Sequence, residues 1–92
     1  MRIDLDGREM TDRQRTHDYL ATQLQFPEYY GRNLDALYDL LTERGEEVEI
    51  CLHHAEAVKT QLGGYGVKLL HTLMEAENDH LPLTVTFCSY AE

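Results

Sequence analysis

The chain has 92 residues, enough for one domain with a single modest core and too few for two. Hydrophobic residues make up 42% and charged residues 27%, with six glycines and two prolines, a composition that folds rather than stays disordered. Eight Lys and Arg stand against seventeen Asp and Glu, a net charge of −9, which argues against a nucleic-acid partner because phosphate neutralisation needs clustered cations.

In chain order, RIDLD (Arg2 to Asp6) alternates apolar and polar residues and is followed by Gly7, which predicts a first strand. Thr11 and Gln14 form a T-x-x-Q capping box, opening a helix with His17, Leu20 and Leu24 on one stripe. Pro27 closes that helix, because the residue before a proline is pushed out of the α region. Gly31 permits a turn, and Asn33 is a natural N-cap for a second helix running to about Arg44, with Gly45 as its stop. VEICLHH (Val48 to His54) reads as a second strand and Ala55 to Leu62 as a short third helix, broken by GGYG (Gly63 to Gly66). Val67, Leu70, Leu73 and Met74 mark a fourth helix to near Asn78, and LTVTFCS after Pro82 is a third strand. Three strands separated by helical crossovers predict a small α/β domain over residues 1–92, a three-stranded parallel sheet packed with about four helices.

The start MRIDLDGREM carries charges where a signal peptide needs an apolar run, and no stretch approaches 18 apolar residues. A cytoplasmic location without membrane contact is therefore expected. Cys51 and Cys88 both lie in apolar, strand-like runs and are read as free thiols. CLHHAE offers Cys51 and His53 on one strand face, but a zinc site wants four converging ligands and no second cluster exists, so neither metal nor cofactor is expected. GGYGVK lacks the spacing of a phosphate-binding loop and reads as a helix-to-helix turn.

The second helix carries the most information. Leu34, Leu37 and Leu41 form its apolar stripe, while Asp35 and Asp39 lie together to one side. A like-charge pair four residues apart costs roughly 0.2–0.5 kcal/mol in an isolated helix. The helix dipole favours Asp35 in the first turn but does not reach Asp39. From Glu28 to Glu49 only Arg32 and Arg44 offset seven acids, a patch that would attract a cationic surface. Tyr38 flanks the acidic face, and Tyr29 and Tyr30 precede it; aromatic anchors beside carboxylates suit protein binding. The plainer alternative has one of the two loop tyrosines in the core and the aspartates merely solvated. An enzyme using Asp35 and Asp39 with His53 or His54 as base is disfavoured, since a convex helix face excludes water poorly.

The run PEYYGRNLDALYDLLT, Pro27 to Thr42, closely resembles the central segment of the barstar family, intracellular inhibitors of barnase-type ribonucleases. The likeness extends over nearly the whole chain in element order and is sharpest in these residues. It implies a non-enzymatic inhibitor, a monomer forming a 1:1 complex with a basic extracellular ribonuclease. By that resemblance Asp39 enters the pocket for the scissile phosphate, Asp35 bonds guanine-recognition or catalytic groups, and Tyr29 stacks on the catalytic histidine. Gly31, Asn33 and Thr42 line the contact beside Tyr30. Tyr38 and Arg44 stand where the family has tryptophans, and Glu75 is the nearest match, after a one-residue gap, to a contacting glutamate on the last helix. These departures leave open a related ribonuclease, a ribonuclease toxin against which the chain confers immunity, or an acidic scaffold that inhibits nothing.

Overall fold

The computed structural model describes residues 1–43, 46–80 and 83–88. Three strands, β1 (Arg2–Asp6), β2 (Val48–His53) and β3 (Leu83–Cys88), form a parallel sheet in the order β1-β2-β3. Ile3 lies opposite Ile50 and Leu5 opposite Leu52, while Ile50 faces Val85 on the other side. This register gathers the apolar half of each alternating strand onto one face, where Ile3, Leu5, Val48, Ile50, Leu52, Leu83 and Val85 are buried. The other face carries exposed Arg2, Asp4, Thr84 and Thr86. Parallel sheets are usually covered on both faces. The order β1-β2-β3 steps the same way twice, and crossovers of the usual right hand would then keep the connecting helices on one side. That fits the alternating burial of β1 and of Leu83 to Thr86 in β3, while β2 in the middle buries Ile50, Cys51 and Leu52 in succession.

The helices are α1 (Arg13–Leu24), α2 (Leu34–Thr42), α3 (Ala55–Leu62) and α4 (Gly64–Asp79), with a 3-10 turn at Gly7–Glu9. Leu20, Leu24, Leu37, Leu41, Val58, Leu69 and Leu73 complete the core. Fully burying a leucine side chain is worth about 1.5–3 kcal/mol, so these contacts, more than helix propensity, hold the layer in place.

Several boundaries differ from the sequence reading. The cap of α1 is Asp12, whose carboxylate accepts from the Arg15 amide at 2.8 Å. Starting the helix at Arg13 moves Gln14 too early for a capping box with Thr11, and an aspartate adds a charge that the helix dipole favours. That helix ends at Leu24, where left-handed Gln25 (φ 57°) turns the chain before Pro27 is reached. The strand β2 stops at His53 because His54 is left-handed as well. Of the GGYG segment only Gly63 (φ 60°) breaks the helix, and α4 already begins at Gly64. A Cβ on Gly66 would sit 2.4 Å from the Val58 carbonyl oxygen, so the missing side chain lets α4 pack on α3. The second helix ends at Thr42 with Glu43 as its cap; its expected last residue Arg44 and stop Gly45, and Ser89 at the end of the last strand, lie outside the described residues. Cys51 and Cys88 are free thiols, and among the described residues no helix is long and apolar enough to cross a membrane.

Candidate functional site

The loop between α1 and α2 is built around one buried side chain. Tyr30 is 4% exposed, its ring centre 4.8 Å from that of Phe26 and its hydroxyl 2.6 Å from Nδ1 of His17. His17, also buried, meets the Tyr65 hydroxyl with Nε2 at 2.7 Å. Burial pushes the Tyr30 phenol well above its ordinary range, while burial first and the nearby Arg32 second hold His17 below the usual histidine value. A neutral imidazole has one donor and one acceptor. The enclosed Tyr30 therefore donates to Nδ1, Nε2–H donates to Tyr65, and the half-exposed Tyr65 sends its own proton outward. This chain fixes the loop to α1 and α4 from inside.

Next to that anchor, Tyr29 is 78% exposed. The two tyrosines grouped together as binding residues thus part company: Tyr29 stands on the surface and Tyr30 supports the loop beneath it. Gly31 does not supply the left-handed residue of the turn; Arg32 does, with φ 52°. What Gly31 provides is room, since a Cβ there would lie 3.2 Å from both Ala36 Cβ and Asn33 Nδ2. Asn33 then caps α2, accepting from the Ala36 amide at 2.7 Å, as its sequence position predicts.

On α2 itself Leu37 and Leu41 are buried, Leu34 is half-buried, and Asp35 and Asp39 are exposed. No cation pairs with either aspartate among the described residues. Tyr38 donates to Asp79 at the end of α4, which raises its phenol, and Asp79, Glu75 and Asp39 charges raise it further. Glu75 is thus exposed on α4 within electrostatic reach of the α2 face. Thr42 is half-buried, and its hydroxyl donates to the Tyr38 carbonyl at 2.9 Å. Arg44 lies outside the described residues.

The enzyme alternative finds no assembled site. His53 bonds Asp4 across β1 and β2 at 3.0 Å, on the polar face of the sheet away from the helices, and His54 pairs with Glu56 at the start of α3. Neither joins Asp35 and Asp39. Among the described residues no three His, Cys, Asp or Glu side chains gather as a metal site would require. Sequence reasoning passed over Tyr65 by assigning GGYG to a turn, although His17 on the core stripe was a signal that a buried polar group needed partners.

A family model for barstar, the barnase inhibitor, matches residues 1–89. The chain is also similar to the Bacillus subtilis (strain 168) protein named "Putative ribonuclease inhibitor YrdF", at 39% identity over 79 residues, 85% of this chain and 87% of that protein. Since the family match takes in every described residue, the chain belongs to the barstar family, whose members are inhibitors and not enzymes.

Proposed function

We propose that this chain is a cytoplasmic, monomeric inhibitor that forms a 1:1 complex with a basic, secreted ribonuclease of the barnase type. The inhibitor covers the enzyme's active site with the loop from Pro27 to Gly31 and the acidic face of α2. Asp39 occupies the place of the scissile phosphate, Asp35 binds guanine-recognition or catalytic groups, and Tyr29 stacks on the catalytic histidine. Gly31, Asn33, Tyr38, Thr42 and Glu75 border the contact, with Arg44 at its rim. Tyr30 acts from below by holding the loop's shape.

One observation carries this reading: two exposed carboxylates, with no cationic partner among the described residues, are fixed on a helix whose opposite stripe is locked into the core. A partner's arginines can relieve their repulsion, and rigidity means little ordering is needed on binding. Tyr38 and Arg44, standing where the family has tryptophans, leave a related ribonuclease or a ribonuclease toxin domain as fitting a partner as barnase itself. RNA cleavage by a panel of barnase-type ribonucleases and ribonuclease toxins tests the proposal. Stoichiometric inhibition of at least one, lost in Asp39→Ala, is expected; full cleavage by all of them with equimolar wild-type protein would contradict it.

A further inference from the structure

Beside the acidic helix face lies a cleft of opposite charge. Its volume is about 730 Å3, and its walls include Arg13, Arg32 and Lys68, three of the eight cations of a chain with net charge −9. Among the described residues Asp35 is the one carboxylate lining it. The guanidinium of Arg13 lies 4.2 Å above the Tyr65 ring, and Arg32 uses Nε to pair with Asp18 at 2.9 Å. The Lys68 ammonium has no partner among the described residues. The cleft also meets the amino-terminal ends of three helices, through Arg13 of α1, Asp35 of α2 and Tyr65 of α4. Each such end carries a partial positive charge, so fixed backbone dipoles add to the three side chains.

A uniformly basic partner would be repelled here. We infer that the cleft is a specificity site that receives a carboxylate side chain of the ribonuclease, next to the basic active site covered by α2. This inference rests on the inhibitor reading and names a property of the partner: its basic centre is flanked by an acidic group. Continuity supports a protein carboxylate over a free anion, because Asn33 and Asp35 border both the cleft and the acidic face. Arg13 stacks on Tyr65 and Arg32 pairs with Asp18 through Nε, and both guanidinium groups keep further N–H donors that suit a carboxylate. Charges placed this way select partners, since a ribonuclease without the acid would meet unrelieved like charge.

The test compares wild type with the triple variant Arg13→Gln, Arg32→Gln, Lys68→Gln against the ribonuclease of the panel that binds wild type most tightly. A control, Arg2→Gln with Lys59→Gln, removes cations outside the cleft, and circular dichroism confirms that each variant is folded. Three lost rim charge pairs predict binding weaker by about tenfold in the triple variant, with the control unchanged or slightly tighter. Unchanged or tighter binding by the triple variant would overturn the inference, as would equal weakening in the control. Saturable binding of inorganic phosphate to the free protein at Tyr65 and Lys68, with ribonuclease affinity unaffected in the triple variant, would assign the cleft to a free anion instead. If wild type binds no ribonuclease, the inhibitor reading fails and this inference falls with it; Asp39-dependent binding indifferent to the cleft overturns the inference alone.

Discussion

At Tyr30 a phenol grouped by the sequence with partner-facing residues is enclosed with His17, and its neighbour Tyr29 takes the exposed position. Removing the Tyr30 hydroxyl leaves Nδ1 of a buried histidine without its donor, which costs about 1–3 kcal/mol. Tyr30→Phe is therefore expected to lower the urea midpoint clearly, while Tyr29→Ala shifts stability by no more than about 0.5 kcal/mol and weakens ribonuclease binding. Equal stability of the two variants would contradict this division. The sequence left open which tyrosine turns inward, because a loop has no period to assign sides. Asp35 and Asp39 were different: helix periodicity alone put them together on the outside.

Among the elements, α2 was the most legible, with a leucine stripe and an asparagine cap that each specify the same register. The start of α1 was misread because Thr11 and Asp12 are both good caps and only the geometry of the first turn separates them. Asp12→Ala should cost about 1 kcal/mol in a chemical denaturation curve, whereas Thr11→Ala should cost close to nothing. A larger loss from Thr11→Ala would mean that the helix begins one residue earlier in solution. The glycines before Val67 suggested a break, but the requirement at Gly66 is close packing against α3, a tertiary constraint that no local pattern displays.

For the whole molecule, alternation in β1 and β3 and the lengths of the connections were enough to specify a parallel three-stranded sheet. The polar network through His17, Tyr30 and Tyr65 was not readable, since it joins residues as far as 48 positions apart. It has a consequence for pH. His17 binds a proton less readily in the fold than in the unfolded chain, where its pKa is about 6.5. Its contribution is therefore complete above that value and is lost as pH falls through it toward the lower folded pKa. The Asp4 and Asp6 carboxylates, lowered mainly by hydrogen bonds from His53 and Arg8, lose their contributions only below about pH 4. Urea midpoints should thus fall between pH 7.5 and 5, and the fall should be smaller in His17→Gln. An equal fall in that variant would place the linkage elsewhere.

Binding involves the whole surface, and the proposed inhibitor reading puts its centre on the acidic face of α2. The most direct measurement is calorimetric titration of wild type and Asp39→Ala against the inhibited ribonuclease, at low and high salt, with unfolding curves run in parallel. Tight wild-type binding should weaken as salt rises. Asp39→Ala should lose at least about 2 kcal/mol of binding, the lower bound for an interface hot spot, of which the barnase and barstar pair is itself the standing example. Its stability should be unchanged or slightly higher, because a like-charge pair has been relieved. Undiminished affinity, or a variant that unfolds, would contradict the account.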